Sequence, residues 1–243
     1  MIETRGLTKV YHSRKRGRIT AVDALDLECR GGEVYALLGP NGAGKTTVLR
    51  ILSTLIDPTS GSATVDGHDV ATAKTAIRRL IGVVSYETGI YERMTPREIG
   101  YYVGRLNDIP DATIAQQLEY VFALLRMQEF ADERTDDFST GMKQKTVIMR
   151  ALVTAPRILI FDEPTAGLDI LTAKSVMDYI RLLRTDGKTI LFSTHVLSEA
   201  EKLADRIGII HRGRLIEQGT LADLQTRTGK TDLEDIFFAF VQE

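Results

Sequence analysis

Two stretches of this 243-residue chain combine residue types and spacings that suit phosphate chemistry. The first, Gly39-Pro-Asn-Gly-Ala-Gly-Lys-Thr46, matches in full the pattern GxxxxGK followed by Ser or Thr. Its glycines let the backbone curl so that successive N–H groups point at phosphate oxygens. In such a loop Lys45 reaches the β- and γ-phosphates, and Thr46 offers its hydroxyl to Mg²⁺. The residues expected to contact ATP are Gly39, Pro40, Asn41, Gly42, Ala43, Gly44, Lys45, Thr46 and Thr47.

The second stretch is the acidic pair Asp162-Glu163, which follows the apolar run 158–161. A buried strand here would deliver Asp162 to a metal at its carboxyl end, where open α/β sheets place their ligands. In P-loop hydrolases a carboxylate directly after that aspartate, here Glu163, can orient or deprotonate the attacking water. His195 ends the next apolar strand, so its imidazole either reaches a γ-phosphate or is a satisfied structural side chain.

The elements that must position these residues alternate between strand-like and helical patterns. The apolar run 34–38 leads into the Gly-rich loop and a helical pattern follows it, which is the context that this loop requires. Strands are predicted at 7–11, 19–29, 33–38, 63–65, 81–85, 157–161 and 189–194, with a hairpin at 207–219 turning at Arg212-Gly213. Helices are predicted at 46–56, between the strands at 157–161 and 189–194, and at 233–243. The pattern is also helical across 95–149, beginning with a capping box at Thr95–Glu98, and a further helix is predicted at 141–151. This alternation favours an α/β fold with a mainly parallel sheet and crossover helices.

Composition argues against several classes of function. The net charge is −2, so no general basic field invites nucleic acid or acidic lipid. The single cysteine, Cys29, has no pair to bridge, which fits a reducing compartment or a fold that needs no disulfide. The N-terminus has no apolar signal-peptide region, and no apolar run approaches the roughly 20 residues of a membrane helix. A basic cluster, Arg14, Lys15, Arg16 and Arg18, is either a solvated hairpin tip or a contact with anionic lipid or ATP phosphates.

A third stretch, FSTGMKQK at 138–145, places a turn of small residues before a basic helical run. The Gly-rich loop, FSTGMKQK, ILIFDEPTAGLD and FSTH together resemble, in this order, the motif set of ATP-binding cassette (ABC) ATPases. The resemblance covers the chain from Tyr11 to about Gly219. In that family the signature turn, here Ser139, Thr140 and Gly141, binds the ATP held by a second subunit. The resemblance therefore implies a homodimer that sandwiches two ATP molecules.

The resemblance also implies roles for individual residues. Tyr11 resembles the aromatic side chain that stacks on adenine, with Val22 packing nearby. Asp169 matches the family's aspartate at the dimer interface, and His195 matches the switch histidine. The family's catalytic positions correspond to Lys45, Glu163 and His195. Its Mg²⁺ ligands correspond to Thr46 and Asp162.

The fold that the resemblance implies is an α/β P-loop NTPase of the ABC type. Its core has a mainly parallel sheet, and an N-terminal antiparallel β subdomain and an inserted helical subdomain are attached to this core. We expect one domain over 1–243. Within it, we expect a catalytic core at about 1–84 and 150–220, a helical subdomain at about 85–149 and a C-terminal tail at about 221–243.

Two motifs depart from the family pattern, at three positions. The signature has Thr140 and Met142 where glycine and glutamine are commonest, as in the subfamily whose membrane partners are ABC-2-type exporters. After the predicted strand 81–85 the family has a glutamine that touches Mg²⁺ and the attacking water, whereas this chain has Tyr86. Tyrosine is too bulky to replace the amide in the same way. Either the neighbouring Glu87 takes its place, or the metal takes another water.

The family resemblance narrows the function. The aromatic-rich stretch 87–106 lies where the family docks its transmembrane partner. YETGIYERMT at 86–95, FSTGMKQK and LEDIFFAFVQE at 233–243 together resemble NatA-type subunits of sodium-efflux transporters. We therefore expect an ATPase subunit at the cytoplasmic face of the cell membrane, bound to separately encoded permease subunits, that drives export of Na⁺ or of drugs, lipids or peptides. The alternative is a soluble ABC ATPase acting on ribosomes or DNA, although the chain has one cassette, no sustained heptads and no basic track. A nucleotide kinase would not explain the signature turn or DEPTAGLD.

Overall fold

The computed structural model of the chain describes residues 1–13, 17–85 and 89–241. The first elements, in chain order, are β1 (Ile2–Ser13), β2 (Gly17–Leu25), β3 (Glu28–Cys29), β4 (Val34–Leu38), α1 (Lys45–Leu52), β5 (Ser60–Val65), β6 (His68–Asp69), α2 (Lys74–Leu80) and β7 (Ile81–Ser85). The later ones are α3 (Pro96–Leu106), α4 (Asp111–Leu125), 3₁₀ turns at Gln128–Phe130 and Thr135–Asp137, α5 (Thr140–Leu152), β8 (Ile158–Asp162), α6 (Ile170–Thr185), β9 (Thr189–Thr194), α7 (Leu197–Leu203), β10 (Arg206–His211), β11 (Arg214–Gly219), α8 (Leu221–Thr228) and α9 (Leu233–Val241). None of the helices in these described ranges is long and apolar enough to cross a membrane.

A six-stranded sheet forms the centre of the fold, in the order β11-β10-β4-β9-β8-β7. The pairs β10–β4, β4–β9, β9–β8 and β8–β7 are parallel, and the edge strand β11 runs antiparallel to β10. Both β4 and β9 are buried along their whole length, as expected for parallel strands covered on both faces. The mainly parallel α/β sheet predicted from the sequence is therefore confirmed.

Side chains of β4 alternate between two hydrophobic cores, because successive residues of a strand point to opposite faces of the sheet. Ala36 belongs to the core shared with the helices from α3 onward, whereas Tyr35 and Leu37 belong to the core shared with α1, α2 and the N-terminal strands. Cys29 lies in this second core, where burial raises the pKa of its thiol. The two cores fix the sheet on both faces and leave its carboxyl edge for chemistry.

The N-terminal strands form an antiparallel sheet in the order β2-β1-β5-β6, with β3 also paired to β1. The prediction of one strand over 19–29 is wrong, because β2 ends at Leu25 and β3 begins only at Glu28. Buried Thr4 holds this bend: its hydroxyl donates to Leu25 O and accepts from Leu27 N, both at 2.8 Å. The spacing within 19–29 does not reveal the bend, because the side chain that stabilises it comes from another strand.

Helices α3, α4 and α5 pack together on one side of the central sheet. α3 begins with the predicted capping box, in which Thr95 Oγ1 accepts from Glu98 N (3.2 Å) and Glu98 Oε2 accepts from Thr95 N (2.9 Å). α3 also carries Gly104 against α4. A Cβ at this position would lie 2.5 Å from Ile114 Cδ1, so glycine permits the close approach of the two helices.

The C-terminal part begins with the hairpin β10–β11, which turns at Arg212-Gly213 as predicted. Gly213 fixes this hairpin to the Gly-rich loop, because its N–H donates to Ala43 O (2.8 Å). The predicted amphipathic helix is α9, which buries Leu233 and Ile236. The hairpin thus reaches the Gly-rich loop, while α9 covers the helical side of the sheet.

Candidate active site

The Gly-rich loop connects β4 to α1 at the carboxyl edge of the central sheet. Gly44 precedes α1 with a φ of 109°, a left-handed conformation that favours glycine. A Cβ at Gly44 would lie 2.4 Å from Ala21 O, so the loop presses directly against β2. The N-terminus of α1 lies at a pocket of about 200 Å³, lined by Ala21, Asn41, Gly42, Gly44, Lys45, Thr46, Thr47 and Glu163. A helix N-terminus at such a pocket favours the binding of an anion.

Lys45 is buried at the start of α1, with 4% of its surface exposed. Its Nζ donates to Gly39 O (2.7 Å) and Pro40 O (3.1 Å), and it lies 3.1 Å from Glu163 Oε1. A buried ammonium needs such partners, since it carries three N–H donors and a full charge. Two of its partners are loop carbonyls, so Lys45 also stabilises the shape of the loop.

Asp162 ends β8 beside the Gly-rich loop. Thr46 Oγ1 donates to Asp162 Oδ1 (3.2 Å), and Ser193 Oγ donates to the same oxygen (2.6 Å). Ser193 Oγ also accepts from Glu163 N (3.0 Å). The sequence analysis did not identify Ser193 as a site residue, although the parallel register of β8 and β9 pairs it directly with Asp162. A fully buried serine therefore orients the acidic pair.

Glu163 lies between the two other residues expected to be catalytic. Its Oε1 pairs with Lys45 Nζ at 3.1 Å, and its Oε2 lies 3.2 Å from His195 Nδ1. Its φ is 47°, an unfavourable conformation for a residue other than glycine that costs about 1–3 kcal/mol. Strain of this kind persists where the surroundings fix it, and it clusters at active sites. The structure thus brings Lys45, Glu163 and His195 together at one edge of the sheet.

The oxygen atoms at this edge also suit a divalent cation. The Thr46 hydroxyl and the Asp162 carboxylate lie 3.2 Å apart. Mg²⁺ in nucleotide sites is bound by one or two such protein oxygens together with substrate phosphates and water. The donor set therefore fits a Mg²⁺ ion beside a nucleotide whose phosphates bind the Gly-rich loop.

The two residues expected to contact adenine differ in exposure. Tyr11 is 38% exposed on β1, and Lys9 Nζ lies 5.4 Å from its ring centroid. Val22 on β2 is fully buried in the core and offers no surface to a base in this arrangement. The contacts of Tyr11 and Val22 with adenine stay predictions.

The signature turn lies at the N-terminus of α5, which begins at Thr140, one residue before the predicted start at Gly141. Ser139 caps this helix by accepting from Met142 N (3.3 Å), and both Ser139 and Thr140 are exposed. In the described part of the chain these residues do not line the Gly-rich-loop pocket. The two expected phosphate contacts of the chain therefore do not meet within one subunit.

Asp169 caps α6 beside the signature turn. Its Oδ1 accepts from Leu171 N (3.0 Å) and Thr172 N (3.1 Å), and its Oδ2 accepts from Thr172 Oγ1 (2.6 Å). Thr172 lies beside Gly141 of the signature turn, since a Cβ on Gly141 would be 3.3 Å from Thr172 Oγ1. The residues expected at a dimer interface thus share one surface.

Some residues with predicted roles lie outside the described ranges, namely Tyr86, Glu87, Arg14, Lys15 and Arg16. Their proposed roles in metal binding and phosphate or lipid contact stay predictions. Arg18 is described and exposed. The carbonyl of Gly89 accepts from Arg150 Nη1 (3.1 Å), so α5 is hydrogen-bonded to the chain at Gly89.

This fold and site define a P-loop ATPase of the ATP-binding cassette class. The chain matches the protein-family model described as ABC transporter over residues 22–166. It therefore belongs to the ABC transporter family, as an ATP-binding subunit that hydrolyses ATP. The family resemblance, the fold class and the enzymatic class predicted from the sequence are confirmed.

Individual relatives are similar over most of the chain. The chain is 39% identical to the ABC transporter ATP-binding protein NatA of Bacillus subtilis (strain 168), over 93% of this chain and 92% of the relative. It is 38% identical to the daunorubicin/doxorubicin resistance ATP-binding protein DrrA of Streptomyces peucetius, over 96% of this chain and 69% of the relative.

Solved structures agree with this assignment. An ATP-binding subunit of an ABC transporter superposes with a TM-score of 0.86 at 28% identity, covering 99% of each chain. The dimeric post-hydrolysis state of an ATP-binding cassette, bound to ADP and Pi, superposes with a TM-score of 0.80 at 26% identity. That comparison covers 90% of this chain and 98% of the other.

Proposed function

We propose that this chain is the ATP-hydrolysing subunit of an ABC exporter and works at the cytoplasmic face of a membrane through a separately encoded permease. The observation that carries the proposal is the convergence of Lys45, Glu163 and His195 beside the Gly-rich loop. A carboxylate held between a lysine and a histidine at a phosphate-binding helix N-terminus is an arrangement suited to activate water against a phosphoryl group.

In the proposed reaction each residue has a distinct task. Lys45 binds phosphate oxygens, and Glu163 orients the attacking water and accepts its proton. His195 would donate a hydrogen bond toward the γ-phosphate, while Thr46 and Asp162 would hold a Mg²⁺ ion. Bound Mg²⁺ would neutralise charge on the phosphates during transfer.

Two copies of the chain form the working unit in this proposal. Ser139, Thr140 and Gly141 begin α5, so their helix N-terminus can meet the γ-phosphate bound by the partner's Gly-rich loop. Beside them, Ile170 and Leu171 are 87% and 77% exposed. Apolar side chains this exposed are typical of a surface that a partner covers. Support comes from a solved cassette of the same fold, which is dimeric.

A groove on α3 is the proposed docking site of the permease. Its volume is about 970 Å³, and it is lined by Arg93, Met94, Arg97, Glu98, Tyr101, Tyr102, Arg105, Leu106 and Asp111. Tyr102 is 42% exposed, and its ring contacts that of Tyr91 edge to face at 5.4 Å. Tyrosine, methionine and arginine are the side chains that protein interfaces favour.

Sodium is the first candidate for the exported substrate, because the chain resembles NatA over nearly the full length of both proteins. The second candidate is a drug-like amphipathic compound, because the chain is almost as similar to a daunorubicin/doxorubicin resistance subunit. Specificity would lie in the permease rather than in this chain.

Labelled Na⁺ efflux from the native cells tests the proposal, with strains that carry the intact chain, a deletion, or Glu163→Gln. We expect slow efflux in both altered strains and recovery when the intact chain is restored. Unchanged Na⁺ efflux would reject sodium, and daunorubicin efflux in the same strains would then test the second candidate.

Fractionation of the same cells separates an exporter subunit from a soluble ABC ATPase. We expect the chain to sediment with membranes, and to leave them when the tyrosines of the α3 groove are replaced by Ala. Sedimentation with ribosomes would instead overturn the exporter proposal.

A further inference from the structure

A buried carboxylate on α7, that of Glu199, lies between the two loops that carry Glu163 and His195. Glu199 is only 8% exposed. Thr165 Oγ1 donates to Glu199 Oε1, and Thr194 Oγ1 donates to Glu199 Oε2 (2.7 Å). Hydrogen bonds to an ionised acceptor are stronger than those between neutral groups, and a buried acid needs them. The carboxylate therefore fixes the separation of the two threonines.

Thr194 controls the backbone on both sides of His195. Its hydroxyl donates to Glu199 and accepts from Val196 N (2.9 Å). Its carbonyl accepts from Gly39 N (3.2 Å), at the first residue of the Gly-rich loop. With its proton donated to Glu199, the Thr194 hydroxyl presents a lone pair to Val196 N, so the acid helps to fix the turn at His195.

Thr165 controls the turn that begins with Glu163. Ala166 N donates to Glu163 O (3.1 Å), and Leu168 N donates to Thr165 O (3.2 Å). Glu163 has the left-handed φ of 47°, which persists only where neighbouring contacts determine it. The bond from Thr165 to Glu199 is one of these contacts, and it ties the strained turn to a buried side chain of α7.

We propose that Glu199 is a positioning residue for ATP hydrolysis, which holds the carboxylate of Glu163 and the imidazole of His195 in register. The two groups lie 3.2 Å apart, and each is joined to Glu199 through one threonine. A carboxylate accepts from two hydroxyls at once, whereas the amide of glutamine offers one acceptor oxygen. The inference rests on the catalytic roles proposed above for Glu163 and His195.

Glu199→Gln in the full-length chain is the test, because it preserves the size of the side chain and removes one acceptor. We expect kcat for ATP to fall about 10- to 100-fold, as for a small displacement of catalytic groups. ATP affinity should stay within roughly two-fold of the original, because the phosphate-binding residues are unchanged. Glu201→Gln, which alters an exposed acid on the same helix, is the matched control and should keep normal turnover.

The threonines provide a second set of variants that does not alter the buried charge. Thr165→Ser and Thr194→Ser keep the hydroxyl and should keep kcat, whereas Thr165→Val and Thr194→Val should lower kcat as Glu199→Gln does. Valine variants with normal kcat would overturn the proposal, as would a normal kcat in Glu199→Gln.

A double variant separates positioning from general destabilisation. Adding Glu199→Gln to Glu163→Gln should lower turnover by a smaller factor than Glu199→Gln does alone, because one of the two groups to be positioned is already gone. If the two turnover losses instead multiply in the double variant, and Glu199→Gln also lowers the melting temperature, Glu199 has only a structural role. Normal turnover in Glu163→Gln would reject the proposed catalytic role of Glu163 itself, whereas a slow Glu163→Gln beside a normal Glu199→Gln would reject only the positioning role.

Discussion

The shared carboxylate of Glu163 couples phosphate binding to water activation at the residue scale. It offsets the charge of Lys45, whose Nζ also donates to two loop carbonyls. Phosphate oxygens that reach Lys45 compete with this carboxylate for the same ammonium. Binding of the nucleotide would therefore release Glu163 from Lys45 and leave it free to orient water.

Glu163→Gln should slow ATP hydrolysis by at least about 100-fold, the usual size of a lost general base. ATP affinity should be unchanged or higher, because the competing charge near Lys45 is gone. Single-turnover hydrolysis and fluorescent-ATP titration measure the two effects separately.

Lys45→Ala is the companion variant, and it should lose tight ATP binding. Hydrolysis by Glu163→Gln at the normal rate would remove Glu163 from the role of base. A large loss of affinity in Glu163→Gln would contradict the competition between this carboxylate and phosphate.

The cap of α6 shows at the element scale how one residue can have two roles. The sequence analysis assigned Asp169 to the dimer interface through family resemblance. The structure adds a role within one chain, because Asp169 accepts three hydrogen bonds at the start of α6. The bond from the Thr172 hydroxyl, followed by those from backbone N–H groups, lowers the pKa of Asp169 below its ordinary value.

Asp169→Ala should therefore destabilise the chain in a pH-dependent way. A carboxyl whose pKa is lower in the folded than in the unfolded state raises the free energy of unfolding. This contribution is complete at a pH above the unfolded-state pKa, and it is lost as the pH falls through the folded-state pKa. The urea midpoints of Asp169→Ala and of the original chain should differ most near neutral pH, and the difference should shrink in acid. Urea unfolding at a series of pH values measures it.

Asp169→Asn is the matched control, since asparagine is an equally good N-cap but carries no charge. It should keep most of the stability near neutral pH. A midpoint difference for Asp169→Ala that stays constant into acid would contradict the contribution of the charged cap.

The separation of the two phosphate-binding helix ends is a property of the whole molecule. The N-terminus of α1 lies at the pocket of the Gly-rich loop, and the N-terminus of α5 carries exposed Ser139 and Thr140 away from that pocket. The proposed dimer joins each α1 with the partner's α5. This arrangement can be tested by mixing two inactive variants.

Ser139→Asp and Lys45→Ala should each be nearly inactive alone. Aspartate keeps an N-cap for α5 but places a negative charge against the partner's triphosphate. In an equimolar mixture half of the dimers are mixed, and each has one intact site, so about a quarter of the original activity should return. Steady-state ATPase activity of the mixture measures it.

Ser139→Thr keeps the hydroxyl and the cap, and it serves as the active control. No recovery in a mixture that size-exclusion chromatography shows to contain dimers would argue against sites shared between subunits.

Local chemistry explains which elements could be predicted. The Gly-rich loop, the capping box at Thr95 and the acidic pair at the end of β8 depend on residues close together in the chain. The break after Leu25 could not be predicted in this way, because Thr4 of a neighbouring strand stabilises it. The same holds for Ser193, which contacts Asp162 only through the register of two parallel strands.

The sequence by itself determined the class of this protein, because each phosphate-binding and acidic motif is contiguous. The chemistry of the Gly-rich loop and the acidic pair follows from their residues, and the order of the motifs resembles that of ABC ATPases. Tertiary structure alone decided how these motifs meet: Glu163 bridges Lys45 and His195, and Glu199 ties together the turns that carry Glu163 and His195. These contacts join residues on different strands and helices. Strand register and helix packing set their distances, and neither is encoded in the spacing of a single motif.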